Sequence, residues 1–172
     1  KPDAFLIPDP TRIKYWKRRL KSLGKGPYVG ISWKSSQMSN KRIPNYSCIS
    51  EWSQILKIPD VTFINLQYVD FENDLKKVSK EFGVTVHNFD DLDHYDDIDD
   101  VAALCAALDM VVSTKITVPF ISAAVGTFFA PAAPLNVSVD VDSVFFRAIA
   151  AVGLRSRKSL STIADTRSTM SW

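Results

Sequence analysis

The segment MVVSTKITVPFISAAVG, residues 110–126, constrains the fold more than any other part of the sequence. Its first residues, Met110 to Val112, form an apolar run of the kind that is buried on both faces of a parallel sheet. A hydroxyl-rich turn follows. A second apolar run then has Pro119 near its start and Gly126 at its end, which is the usual order for a short helix. The segment therefore predicts a strand that passes through a polar turn into a helix.

The polar turn after this strand is a candidate anion site. Open α/β sheets bind nucleotides and phosphates at the carboxyl ends of their strands, where backbone N–H groups at a helix N-terminus face the ligand. The turn would bring hydroxyl groups and one cation to such a site, from Ser113, Thr114, Lys115 and Thr117. An ordinary strand-to-helix connection without a ligand has the same pattern, and this segment alone does not distinguish the two.

Apolar strands alternate with amphipathic helices along most of the chain. The strands are predicted at residues 28–33, 61–66, 84–86, 110–112 and 127–130. Helices are predicted between them, capped by Ser50 and ending before Pro59, then at 71–82, at 98–108, and between Pro119 and Gly126. This order predicts a doubly wound, mostly parallel, Rossmann-like sheet of about five strands with crossover helices.

Three regions are predicted along the chain. Residues 1–27 form a linker and a basic amphipathic helix over 12–23, capped by Thr11. Residues 28–134 form the Rossmann-like domain. Residues 135–172 form a divergent tail, predicted to be helical over 140–152 and then poorly ordered.

Composition limits the class of protein. With 172 residues, 46% of them hydrophobic and 23% charged, the chain suits one globular domain and is too short for two full α/β domains. A net charge of +2 does not indicate nucleic-acid binding. No run is long enough to cross a membrane, and the N-terminus lacks a signal-peptide layout. Cys48 and Cys105 have no metal-type spacing, so we expect reduced core thiols in a cytoplasmic protein. The sequence begins without Met, so we also expect a longer parent chain.

Charge is segregated between the basic helix 12–23 and an acidic segment, DDLDHYDDIDD, at residues 90–100. Either face could attract a partner or simply be solvated. The acidic segment lacks the glycine and the closing glutamate of a calcium loop. Asp97 suits the cap of the following helix, so we expect helix capping and no metal. The two histidines, His87 and His94, have no serine or cysteine partner recognisable as a catalytic pair.

The loop after the first strand is a second candidate phosphate site. Cations and serines just beyond a parallel strand can hold a phosphate group, and this loop contains Lys34, Ser35, Ser36, Lys41 and Arg42. A flexible, solvated loop would have the same composition, and that alternative stays open.

Several separated motifs resemble the C-terminal half of two-domain glycosyltransferases. The closest resemblance is to the region that follows tetratricopeptide repeats in bacterial proteins, and lipopolysaccharide heptosyltransferases are more distantly similar. The motifs cover roughly residues 5–130, and they are FLIPDPTRIKYWKRRL with YVGISWKS, NKRIPNYSCISEWSQIL, VTFINLQY, DDIDDVAALCAALDMVVS and ISAAVG.

The resemblance implies a nucleotide-sugar donor site in one of two facing Rossmann-like domains. It implies diphosphate contacts from Lys34, Ser35, Lys41 and Arg42, and phosphate contacts from Ser113 to Thr117. Gln67 and Tyr68 would line the cleft, and Asp96 and Asp97 would lie near the base or ribose. No metal is expected, because cations and N–H donors can stabilise the charge on the departing nucleoside diphosphate.

The chain departs from the family pattern in two places. Where the family has an acidic residue and then Thr or Ser, this chain has Lys115 and Ile116, and Phe120 occupies the position of a His. We expect a donor-binding half that is inactive alone, because it lacks the acceptor site. The acceptor site, and any general base for hexosyl or heptosyl transfer, would lie in an N-terminal domain of the parent protein. The alternative is a non-catalytic binding or scaffold module with a degenerate site. A flavodoxin-like or receiver-like domain fits poorly, because Trp33 and Gln67 stand where a phosphoacceptor Asp is required.

Overall fold

A computed structural model of the chain describes residues 4–35, 47–114 and 116–132. Five strands and five α-helices are present in these ranges, together with a 3₁₀ turn at Ile49–Trp52 that leads into the second helix. Their bounds are α1 Pro10–Leu23, β1 Tyr28–Ser32, α2 Ser53–Leu56, β2 Thr62–Asn65, α3 Glu72–Phe82, β3 Val86–His87, α4 Ile98–Ala107, β4 Met110–Ser113, α5 Thr117–Ala124 and β5 Phe128–Pro131.

All strand pairs are parallel, and the sheet order is β3-β2-β1-β4-β5. The central strand β1 pairs with β2 in the register Tyr28↔Thr62 and with β4 in the register Val29↔Met110. Strands are added on one side of β1 up to β3 and on the other side from β4 onward. The predicted doubly wound fold is confirmed, and its topological switch point lies between β1 and β4.

Helices cover both faces of the sheet because alternate strand residues point to opposite sides. One face, here called the α4 face, packs Ile64 and Val111 of the sheet against α1, α4 and α5. The other, here called the α3 face, packs Ile31 and Met110 against α2 and α3. Val78 is the residue of α3 that is buried on this face. Within the described ranges, no helix is long and apolar enough to span a bilayer.

Helix ends follow the predicted chemistry with small shifts. The Asp97 side chain accepts from Asp100 N at 2.9 Å and caps α4, as predicted. Gly83 ends α3 at φ 67°, a left-handed conformation that glycine adopts without strain. The predicted cap at Thr11 is wrong, because Asp9 caps α1 and Pro10 takes the first helical position, where no N–H is needed. Similarly, the helix predicted to be capped by Ser50 begins as a 3₁₀ turn after Cys48. Cys48 is exposed, so the prediction of a core thiol is wrong there, whereas Cys105 is buried as predicted.

Gly30 in β1 serves packing. A Cβ at this position would lie 2.4 Å from Leu66 Cδ1 and 2.7 Å from Leu108 Cδ1, both on buried side chains. Glycine in a central strand predicts close approach by a backbone or a ligand. Here two core leucines take the space beside Gly30, so the glycine allows close packing of the core.

The basic and acidic segments contact each other within the chain. Asp100 lies buried at the start of α4 and accepts from Arg12 Nε and Trp16 Nε1, each at 2.8 Å, and from Arg12 Nη2. Arg19 pairs with Asp91, which also accepts from Tyr15 Oη at 3.1 Å. The oppositely charged segments predicted from the sequence therefore bind each other. Their ion pairs join α1 to α4 and to residues 90–97 before it, here called the acidic loop.

The pKa of Asp100 links this contact to acid stability. Burial raises that pKa, but the hydrogen bonds from Arg12 and Trp16, together with the Arg12 charge, outweigh burial and hold it below the usual carboxyl value. A lowered pKa in the folded state means stabilisation that is complete above the unfolded value of about 4. That stabilisation is lost as pH falls through the folded value.

We predict that Asp100→Ala lowers the free energy of unfolding by about 1–3 kcal/mol, because the buried Trp16 N–H loses its acceptor. Urea unfolding at pH 7 measures the change. Asp99→Ala, an exposed carboxylate in the same helical turn, is the matched control and should have a smaller effect. Between pH 7 and pH 3 the Asp100 variant should lose less stability than the parent. If the Asp100 variant and the parent lost the same stability between pH 7 and pH 3, the lowered pKa of Asp100 would be contradicted.

Candidate functional site

A pocket of about 260 Å³ opens at the carboxyl edge of the sheet. Its walls come from the segments that follow β1 and β2, from the acidic loop, and from α4 and α5. The lining residues are Ser35, Leu66, Tyr68, His94, Tyr95, Ile98, Val101, Thr117, Val118 and Ile121. The pocket lies on the α4 face beside the switch point, where doubly wound folds bind their ligands.

Gln67 holds two sides of this edge together from behind the pocket. Its Oε1 accepts from Ser32 Oγ, Trp33 N and Lys34 N, each at 3.0 Å. Its Nε2 donates to Lys34 O at 2.8 Å, and the side chain is 0% exposed. The resemblance implied that Gln67 lines the cleft. The structure places it beneath the surface, where it joins the end of β1 to the end of β2.

Asn65 extends this amide network and was not singled out from the sequence. Its Oδ1 accepts from Gln67 N at 3.0 Å, and its Nδ2 donates to Gln67 O at 3.1 Å and to Asn88 Oδ1 at 2.9 Å. The available signal was a pair of amides, Asn65 and Gln67, at the end of an otherwise apolar strand. Buried amides need partners, and here the partners are the neighbouring strand ends.

Lys34 and Ser35, the described members of the phosphate loop predicted after β1, have side chains that contact different partners. Lys34 Nζ donates to Asp70 O at 2.8 Å and pairs with Asp74 at 2.9 Å, at the start of α3. Asp74 also accepts from Trp33 Nε1 at 2.8 Å. Ser35 Oγ lies 2.9 Å from Tyr68 Oη, in the pocket wall. The remaining predicted members of this loop lie outside the described residues; they are Ser36, Lys41 and Arg42.

The turn after β4 brings hydroxyl groups to the same edge. Ser113 is buried and donates from Oγ to Thr114 O at 3.0 Å. Thr114 is 1% exposed, and its Oγ1 has no hydrogen-bond partner among the described residues. Thr117 is exposed, lines the pocket and begins α5, whose N-cap Ile116 offers no side-chain acceptor. Lys115 lies outside the described residues.

The acidic loop contributes a histidine and a tyrosine to the pocket, and no carboxylate. His94 has both ring nitrogens buried, with no hydrogen-bond partner in the described part of the chain. Burial lowers its pKa, and nearby Asp93 opposes this only in part. Tyr95 is 64% exposed, and its ring centroid lies 6.0 Å from that of Tyr68. Neither residue was predicted from the sequence to contact a ligand.

The predicted base-side residues Asp96 and Asp97 stand outside the pocket wall. Asp96 is exposed and donates from its backbone N to Asp93 Oδ1 at 2.9 Å, while Asp97 caps α4. The described residues contain no group of three or more His, Cys, Asp or Glu that could hold a metal ion. The acidic residues of this loop serve separate contacts, to α1, to the loop itself and to the start of α4.

We predict that Gln67→Met lowers the free energy of unfolding by at least about 2 kcal/mol, because several buried donors lose their acceptor without a change in side-chain size. Urea unfolding measures the loss. Gln54→Met, at an exposed position on α2, is the matched control and should change stability by less than about 0.5 kcal/mol. Equal stability of the two variants would rule out a structural role for this amide.

Comparison with known proteins identifies one curated relative and a shared fold. No protein-family model matches the chain. Protein FlbA of Caulobacter vibrioides is 42% identical over 127 residues, which are 74% of this chain and 21% of FlbA. The chain therefore spans about a fifth of the length of that relative.

Two solved structures share the fold at low identity. The E. coli heptosyltransferase WaaC with ADP matches with a TM-score of 0.52 and 15% identity, over 76% of this chain and 46% of that one. The E. coli ADP-heptose lipopolysaccharide heptosyltransferase II matches with a TM-score of 0.52 and 14% identity, over 73% of this chain and 38% of that one. The distant similarity to heptosyltransferases that the motifs predicted is thus confirmed at the level of the fold.

Proposed function

We propose that the chain is the donor-binding half of a glycosyltransferase of the two-Rossmann-domain type, and that it binds a nucleoside diphosphate sugar. The observation that carries this proposal is the pocket beside the β1–β4 switch point, in a fold shared with heptosyltransferases. Of the two solved structures that share this fold, the WaaC structure contains ADP, and heptosyltransferase II is named for ADP-heptose. Both facts support a nucleotide ligand for this chain without identifying its base.

The diphosphate would lie against the first turn of α5. This helix has no side-chain cap, so its first N–H groups can face an anion, and Thr117 is exposed beside them. Ser35 approaches from the β1 side of the pocket. We assign the balancing cations to Lys41 and Arg42, as the resemblance implies, and to Lys115, which replaces the family's acidic residue. Ser36 would add a hydroxyl group from the same sequence segment as Lys41 and Arg42. Lys34 would act indirectly, by holding the start of that loop against α3.

The chemistry expected of the whole protein is transfer of a hexosyl or heptosyl group to an acceptor held elsewhere in the parent chain. As the sugar leaves, negative charge grows on the nucleoside diphosphate, and fixed N–H groups and cations stabilise it. We propose that these groups suffice without a metal. The acceptor would be held by an N-terminal domain or by repeats of the parent protein, and we place the activity in the bacterial cytoplasm, where we expect its donor.

A non-catalytic binding or scaffold module is the second candidate. Phe120, at the position where the resemblance leads one to expect a histidine, is 73% exposed on α5 and so is not needed for the core. Phe120 cannot make the hydrogen bond that a histidine would offer at a donor site, and this loss favours a degenerate site. The two candidates differ in whether the chain recognises a nucleotide.

Thermal-shift titration with UDP, GDP, ADP and CDP separates these candidates. A ligand at about 100 times its dissociation constant stabilises the folded state by roughly 2.7 kcal/mol, which moves the melting temperature measurably. We expect a shift with at least one nucleotide, reduced in Lys41→Ala and in Lys115→Ala. Lys80→Ala, an exposed lysine at the far end of α3, is the control and should bind as the parent does. No shift at millimolar concentrations would favour the scaffold module.

We further predict that the isolated chain binds its nucleotide weakly and transfers no sugar. Incubation with nucleotide sugars, followed by chromatography of the released nucleoside diphosphate, should show no release above a protein-free blank. Sustained release by this chain alone would place a catalytic group within residues 1–172. It would overturn the proposal that this chain only binds the donor while another domain supplies the acceptor site.

A further inference from the structure

The described wall of the pocket is uncharged, which restricts the part of a donor that it can hold. None of the described side chains that line the pocket is Asp, Glu, Lys or Arg. The wall consists of aliphatic side chains, three rings and the hydroxyl groups of Ser35 and Thr117. His94 belongs to this uncharged wall at neutral pH, since burial lowers its pKa from the ordinary value of 6.5.

Two of the rings stand at different depths in the wall. Tyr68 is partly buried after β2, with its Oη beside Ser35 Oγ at 2.9 Å. Tyr95 is 64% exposed on the acidic loop, and its ring is tilted by 48° from that of Tyr68 at a centroid distance of 6.0 Å. Asp93 Oδ1 accepts from Tyr95 N at 2.8 Å, so the backbone beneath the exposed ring is fixed while its side chain stands at the pocket mouth.

Among the parts of a nucleoside diphosphate sugar, the base suits this wall. A diphosphate requires cations or several N–H donors, and the side chains of the described lining residues offer neither. A sugar carries a shell of hydroxyl groups, each of which needs a polar partner when buried. A base is planar and has two apolar faces, and such a ring stacks on aromatic side chains.

Resting on the proposed function, we propose that Tyr68 and Tyr95 form an aromatic clamp that holds the base of the donor. Tyr68 is the fixed side of the clamp, and Tyr95 turns about its side-chain torsions to cover the base after entry. The base then lies over Leu66 and Val101, and the diphosphate extends past Thr117 to the first turn of α5. This assigns the base to the tyrosine pair, with Asp97 kept in its observed place as the cap of α4.

Calorimetric titration of the whole 172-residue chain tests the clamp. ADP, GDP, UDP and CDP are titrated into the parent, Tyr95→Ala, Tyr95→Phe and Phe5→Ala. The corresponding nucleosides and pyrophosphate are titrated into the same four proteins in separate experiments. Phe5 is an exposed aromatic residue that does not line the pocket, so it controls for the general loss of a surface ring. Because Tyr95 is largely exposed, we expect all variants to fold, and melting curves without ligand check this.

The clamp predicts a loss of about tenfold or more in nucleoside diphosphate affinity for Tyr95→Ala, since stacking on an aromatic ring contributes that much per base. Tyr95→Phe and Phe5→Ala should stay within about twofold of the parent. The nucleosides should follow the diphosphates, while pyrophosphate affinity should not respond to position 95.

Unchanged nucleotide binding by Tyr95→Ala overturns the clamp and leaves the proposed function standing. Equal weakening of pyrophosphate also overturns it, because the tyrosine would then act on the phosphate site or on the fold. If the parent binds neither nucleotides nor nucleosides, the proposed function fails and the clamp fails with it. Competition by free monosaccharides, but not by nucleosides, would reassign the pocket to the sugar.

Discussion

The buried amide of Gln67 is the contact on which the geometry of the candidate site depends. One carbonyl oxygen accepts three hydrogen bonds from the chain leaving β1, and the amide nitrogen returns one to the same segment. Strand ends normally diverge into loops with little to hold them together. Here the Gln67 side chain, just after β2, fixes the path of the chain just after β1. Ser35 and Tyr68 therefore meet in the pocket wall.

A second buried group fixes the opposite wall. Asp100 joins α1 to α4 through Arg12 and the indole of Trp16, at a helix start that Asp97 has already capped. The acidic loop immediately before α4 is thereby held against the body of the domain, with Arg19 paired to Asp91. The loop presents His94 and Tyr95 to the pocket, while the Asp91 side chain pairs with Arg19 of α1 and the Asp97 side chain caps α4.

The pocket that results has two chemical halves. Its described wall is uncharged and aromatic, and it ends at the uncapped first turn of α5, where N–H groups and hydroxyls can meet an anion. A ligand that carries an aromatic ring at one end and negative charge at the other matches both halves. The chain shares its fold with the E. coli heptosyltransferases and spans about a fifth of the length of FlbA.

The fold class followed from the sequence alone, because apolar strand runs and amphipathic helices of the right length alternate from Tyr28 to Ala130, and few topologies accept that order. The Asp97 cap followed as well, since its hydrogen bond is local. Side-chain direction at the site did not, because it depends on contacts between residues far apart in the chain. Lys34 turns to Asp74 and Gln67 turns inward, whereas Tyr95 joins Tyr68 across a gap of 27 positions. Local pattern determined which elements form, and only tertiary packing decided which of their side chains reach the pocket.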